Sequence, residues 1–159
     1  MKGFTGGCQC GAVRFRVEGE LGGASICHCR MCQKATGGLF GPYAGVTMGD
    51  LIWTRGARKR FQSSNKVWRG FCGDCGTPLT FEHETTSIAL AMGAFDRPGN
   101  VRLVEQLASS ARLVNFDELG GLPERAEDEP KAAAYLASIV SYQHPDHDTE
   151  VWSNPARSL

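Results

Sequence analysis

No apolar run in this sequence approaches the roughly 20 residues of a membrane-spanning helix, so no helical membrane span is expected. The first residues, Met1-Lys2-Gly3-Phe4-Thr5-Gly6-Gly7, lack the apolar core of a secretory signal. A cytoplasmic location is the expectation. Charge of one sign is not in excess either: Lys and Arg total 17, as do Asp and Glu. Neither a nucleic acid nor an anionic membrane surface is therefore expected as a partner. No internal repeat or low-complexity linker divides the 159 residues, and that length holds one core without disulfide support.

What the sequence does have is glycine, 20 residues, favouring tight turns and short strands, and cysteine, 7 residues. An odd number of cysteines cannot pair completely, and a reducing compartment disfavours disulfides. All seven fall in three groups: Cys8-x-Cys10, Cys27-x-Cys29-x-x-Cys32 and Cys72-x-x-Cys75. Thiols serving as small hydrophobic residues have no reason to group in this way. Metal ligands do.

Alternating apolar and basic residues over 12–17 predict a half-buried strand. Residues 31–35, closed by Gly37 and Gly38, predict a short helix beside the second cysteine group. Residues 39–53 predict one or two strands. Residues 58–62 with 67–71, and 78–82 with 87–92 across a polar link at 83–86, predict two hairpins. Tyr135, Leu136, Ile139 and Val140 follow Asp128-Glu129-Pro130 at helical spacing, so a late helix over 132–142 is expected to pack on the outside of the domain. The last 15 residues are polar and without apolar period. These elements make one mainly β domain, with residues 1–125 carrying the cysteines and 126–159 forming a C-terminal helix and polar tail packed on it.

In Cys72-Gly73-Asp74-Cys75-Gly76 the two-residue gap lets both sulfurs reach one ion, and the glycines permit the tight bend. Cys8 and Cys10 complete a tetrahedral set, because residues i and i+2 of an extended segment face one side. Four thiolates leave no open position, which makes a structural zinc the expectation for Cys8, Cys10, Cys72 and Cys75. A redox-active dithiol at Cys72 and Cys75 is the competing reading; it leaves Cys8 and Cys10 unused and lacks the usual βαβ setting. Cys27, Cys29 and Cys32 bring three sulfurs and no evident fourth ligand, the pattern of a catalytic zinc with an open vertex. Three metal-free thiols, partial occupancy and an iron–sulfur cluster remain alternatives, the last short of its four cysteines. His28 lies between two ligands and should point away; His83, His144 and His147 are expected in solvent. Arg30 and Lys34 flank the group, as binding residues for an anionic substrate or as counter-charges to the thiolates. Arg55, Arg58, Lys59 and Arg60 read as a solvated basic face. Trp68 and Phe71 read as core.

The blocks Gly6-Gly7-Cys8-Gln9-Cys10-Gly11-Ala12-Val13, Cys27-His28-Cys29-Arg30-Met31-Cys32-Gln33-Lys34 and Phe71-Cys72-Gly73-Asp74-Cys75-Gly76-Thr77 together resemble the signature of the glutathione-dependent formaldehyde-activating enzymes, in order and in spacing. The resemblance covers residues 6–77, extends through the strands to about residue 95, and stops short of the C-terminal third. It implies a β-tent fold of coiled antiparallel sheets, a structural zinc at the four-cysteine set and a reactive zinc at the three-cysteine set. It further implies a carbon–sulfur lyase with glutathione as co-substrate, joining it to formaldehyde as S-hydroxymethylglutathione. Small-molecule thiol and carbonyl are thus the expected partners. A noncatalytic zinc module carrying only the structural ion is the alternative.

Overall fold

The computed structural model describes residues 3–83, 86–124, 126 and 129–153. The strands are β1 Phe4–Gly7, β2 Arg14–Val17, β3 Ala24–Cys27, β4 Gly41–Thr47, β5 Leu51–Arg55, β6 Lys59–Gln62, β7 Trp68–Phe71, β8 Pro78–Glu82, β9 Ser87–Ala91 and β10 Leu103–Leu107. The α-helices are α1 Arg30–Thr36 and α2 Pro130–Ser138. Part of the expected link between β8 and β9, residues 84–85, lies outside the described residues, as do Asp128 at the expected helix start and residues 154–159 of the tail.

The architecture is mainly β, as the sequence predicts. One sheet has the order β1-β2-β5, and the other β10-β3-β4-β9-β8-β7-β6. The two expected hairpins are present, with Arg60 opposite Gly70 and Thr80 opposite Leu90. The sheets are not wholly antiparallel, however. β10 runs parallel to β3, because a long connection rather than a hairpin leads into it. That connection first touches the small sheet, where Asp96 N donates to the Thr5 carbonyl. Phe15 and Val17 from β2, Ala44 and Val46 from β4, Leu79 from β8, and Ile88 and Leu90 from β9 share one buried cluster. Both sheets therefore contribute to a single core. The Phe15 ring meets Phe95 edge-on at 5.4 Å.

Several residues fall on the opposite side from their sequence expectation. In β7 it is Arg69 and Gly70 that are buried, while Trp68 is 41% exposed beneath the Arg60 guanidinium. Two adjacent residues are buried, so burial along β7 does not follow a simple alternation. Arg14 in β2 is also buried, paired through both of its terminal nitrogens with Asp96 at 2.7 and 2.6 Å. The basic run is not a free solvated face: Arg58 donates to Glu82 at 2.6 Å and lies over Trp53, and Arg55 donates to the Gly11 carbonyl at 3.1 Å.

α2 begins as its sequence predicts, with Pro130 in the first turn and Glu129 accepting from Ala132 N at 3.1 Å. Its expected packing is corrected by the structure: none of its residues is buried, and Tyr135, Leu136, Ile139 and Val140 are all half exposed or more. The polar tail packs instead. His144 N donates to the Gln9 carbonyl at 2.7 Å, Arg14 Nη2 reaches Asp148 Oδ1 at 2.7 Å, and Trp152 Nε1 donates to the Cys10 carbonyl at 2.9 Å. His144, expected in solvent, is 3% exposed within this strap, its ring against Trp152. His83 and His147 are exposed, as expected.

Candidate metal centres

The first cluster forms where two similar turns meet. β1 runs into Cys8, whose N donates to the Val13 carbonyl while Gly11 N returns to the Cys8 carbonyl, at 2.9 and 3.0 Å. β7 runs into Cys72, whose N donates to the Thr77 carbonyl while Gly76 N returns to the Cys72 carbonyl, both at 2.9 Å. Each return needs a left-handed residue, supplied by Gly11 at φ 73° and Gly76 at φ 78°. A β-carbon at Gly11 would also run into the His144 and Trp152 rings. The turns leave amides aimed at sulfur: Val13 N at 3.3 Å from Cys8 Sγ and Asp74 N at 3.4 Å from Cys72 Sγ. The Thr77 hydroxyl joins the two turns, accepting from Gln9 N at 3.1 Å and lying 3.1 Å from Cys75 Sγ.

The sulfurs of Cys8, Cys10, Cys72 and Cys75 all lie within 4.8 Å of one another. Cys8 Sγ to Cys10 Sγ is 3.6 Å, and Cys10 Sγ to Cys72 Sγ is 3.8 Å. A tetrahedron of sulfurs at the zinc–thiolate bond length has an edge of about 3.8 Å, so this donor set fits zinc in number, type and spacing. None of the seven cysteines is in a disulfide. Burial pushes the Cys8 and Cys10 thiols up. At Cys75 burial acts in the same direction but is outweighed by the Thr77 hydroxyl and nearby amides, which bring the thiol down to about 6. A cation must displace protons from the buried thiols, so metal binding here releases protons.

The second cluster is built on the β3–α1 junction. β3 ends at Cys27, and Cys29 caps α1, its sulfur accepting from Cys32 N at 3.4 Å. Gly37, at φ 71°, ends the helix, one turn after Cys32. This places the three sulfurs within 4.8 Å of one another, with no fourth His, Cys, Asp or Glu joining them among the described residues. Burial pushes Cys32 up to about 12, against the pull of Arg69. For Cys29, amides of the helix start and the neighbouring thiols outweigh burial and lower it.

His28 does point away from this cluster, as its position between Cys27 and Cys29 suggests. It is fully buried against Phe40 and Phe116, with Nε2 2.9 Å from Gln106 Oε1. Arg30 and Lys34 are exposed on α1, and Arg30 Nη1 lies 3.4 Å from Gln33 Oε1. Sequence reasoning missed Arg69, which reaches Cys32 Sγ at 3.3 Å and Tyr43 Oη at 3.0 Å. A basic residue inside an apolar alternation was the available signal. It also gave no role to Thr77, although a hydroxyl directly after the Cys-Gly turn is placed to reach sulfur.

A mainly β protein in which a closed set of four sulfurs and an open set of three could each hold zinc is a small cysteine-rich domain with two candidate metal centres. The chain belongs to the glutathione-dependent formaldehyde-activating enzyme family, whose model matches residues 3–110. One solved structure of similar fold is a Rhodobacter sphaeroides protein, with a TM-score of 0.52 at 23% identity, covering 64% of this chain and 98% of that one. Among curated proteins, none matches. No helix among the described residues is long and apolar enough to cross a membrane.

Proposed function

We propose that the protein is a zinc-dependent enzyme of the carbon–sulfur lyase kind, joining glutathione to formaldehyde as S-hydroxymethylglutathione. In this reading Cys8, Cys10, Cys72 and Cys75 hold a structural ion, and Cys27, Cys29 and Cys32 hold the working one. The observation that carries it is the pairing of a four-sulfur set at tetrahedral spacing with a three-sulfur set that no fourth side chain completes among the described residues. Zinc at the second set would supply a vertex on which an incoming thiol sits as thiolate.

The thiol proton leaves to solvent, the sulfur–carbon bond forms as the carbonyl π bond opens, and the resulting alkoxide takes a proton. A free thiol of pKa about 8.5 is already roughly one-tenth thiolate near pH 7.5, so complete ionisation contributes at most about 1.4 kcal/mol. Orientation can contribute roughly 7–11 kcal/mol. Placement therefore decides the rate, and the chain's own residues provide it. Arg30 and Lys34, exposed on α1 beside the three cysteines, are the cations in this reading for the glutathione carboxylates. Tyr43 and Arg69 line a cleft of about 200 Å³ with Phe61, Phe71 and Pro78. Drug-sized ligands fill pockets of about 300 Å³ or more, so this cleft suits a small carbonyl compound rather than a tripeptide.

Proton-exchange spectroscopy of the glutathione–formaldehyde equilibrium, with and without protein, tests the proposal. Faster interconversion in the presence of the two-metal protein is expected, with Cys29→Ser reducing it to the uncatalysed rate in a folded chain. Full activity in Cys29→Ser would rule the mechanism out. A single tightly held ion with no response to added thiol would instead favour a noncatalytic zinc module.

A further inference from the structure

Arg69 lies in the middle of β7 with 3% of its surface exposed. A buried guanidinium without counter-charge is strongly disfavoured, yet Arg69 has no carboxylate partner among the described residues. Two other arginines turned inward do, Arg14 on Asp96 and Asp148 and Arg58 on Glu82, whereas the half-buried Arg55 donates to the Gly11 carbonyl and the Thr149 hydroxyl. Arg69 Nη2 lies 3.3 Å from Cys32 Sγ, Nη1 3.0 Å from Tyr43 Oη, and Nε 3.0 Å from Ser63 Oγ, while the guanidinium rests over Phe81. Two of these acceptors are neutral hydroxyls. Among the described residues, the negative charge that answers this arginine comes from sulfur.

The charge count agrees. Three thiolates with a divalent ion leave one negative charge, and Arg69 cancels it. The donors at the four-cysteine set differ in kind: they are the Val13 and Asp74 amides and the Thr77 hydroxyl. Each Arg69 nitrogen has a partner inside the protein, so the guanidinium is held in place by the fold.

We infer that Arg69 is a positioning residue of the three-cysteine metal site, fixing the Cys32 sulfur in its inward orientation and neutralising the charge left when three thiolates bind a divalent ion. This rests on reading that cluster as a metal site.

The test uses the full chain and cobalt(II) as the metal, followed by visible absorption and competition with a chelator. The unaltered protein takes up two equivalents. In Arg69→Gln the first equivalent and the fold are retained, and the second is weakened about 10- to 100-fold, the usual loss on removing a partner of a metal ligand. Its sulfur-to-cobalt charge-transfer band also moves to lower energy, since an uncompensated thiolate gives up its electron more readily. Arg69→Lys, which keeps the cation, recovers part of the affinity, and Tyr43→Phe loses less than Arg69→Gln. Unchanged affinity and band position in Arg69→Gln would overturn the inference. If Arg69→Gln does not fold, Arg69→Lys decides: retention of the second equivalent supports it, and loss in a folded chain overturns it. An unaltered protein that binds one equivalent overturns the two-metal reading itself, a distinguishable outcome.

Discussion

The Thr77 hydroxyl stands between a backbone amide of one turn and a sulfur of the other, and so couples the two halves of the first cluster. Thr77→Val keeps the shape and removes both interactions, leaving Gln9 N without its acceptor. A loss of about 0.5–1.5 kcal/mol is expected, read as a lowered denaturation midpoint in metal-loaded protein; an unchanged midpoint would remove Thr77 from the account. Two carboxylates contribute to the acid limit. Burial acts to raise Glu82 and Asp96, but Arg58 with Thr80, and Arg14 with Thr5, outweigh it and hold both below the usual carboxylate range. A depressed folded-state pKa contributes stability that is complete above the unfolded value, near 4, and is lost as pH falls through the folded value. The part of the stability that these two carboxylates supply should therefore be complete from pH 7 to about 5 and be lost below about 4, so the drop below pH 4 in the denaturation midpoint is smaller in Glu82→Gln, which no longer titrates. An equal acid drop in that variant would count against Glu82 as a contributor.

The strap of residues 143–152 explains the polarity of the C-terminal tail, because its work is hydrogen bonding to the first cluster rather than filling core. His144 N, Asp148 and Trp152 Nε1 each meet a residue near Cys8 or Cys10 in sequence or in the β2 strand that follows. Trp152→Ala leaves the Cys10 carbonyl without this donor and uncovers the Gly11 turn. The expected cost is about 1–3 kcal/mol together with faster zinc loss to a chelator, and unaltered release kinetics would show the strap to be incidental. The cysteine groups, the hairpins and α1 were legible in the sequence, because each is set by local chemistry: ligand spacing, turn residues, a glycine C-cap. The strap was not, since its contacts join residues more than 100 positions apart, as with Arg14 and Asp148 or Cys10 and Trp152. Nor was the phase of β7. Alternation reveals a strand but not which of Trp68 and Arg69 faces inward, and here a sulfur and a phenol inside the fold settle it in favour of the arginine. α2 misled for the opposite reason: its apolar residues have helical spacing, yet they lie exposed.

Across the whole molecule, the four-cysteine set joins the end of β1 in the small sheet to the β7–β8 turn in the large one, a separation of 62 residues from Cys10 to Cys72. Structural zinc in small domains contributes an apparent ~10–16 kcal/mol, comparable with the entire ~5–15 kcal/mol that keeps a domain folded. Stripping the metal, or replacing Cys75 with Ser, should therefore unfold the chain, which circular dichroism would register; a Cys75→Ser protein with native stability would mean the set is not structural. The sulfurs of Cys27, Cys29 and Cys32 carry no such burden, since the β3–α1 junction is already held by backbone hydrogen bonds such as Gln33 N to the Cys29 carbonyl at 3.1 Å. The most direct measurement is anomalous scattering from crystals across the zinc absorption edge. Two peaks are predicted, one centred among Cys8, Cys10, Cys72 and Cys75 and one beside Cys27, Cys29 and Cys32 with a non-protein fourth neighbour. An absence of peaks in the folded protein, or a disulfide within either set, would contradict it.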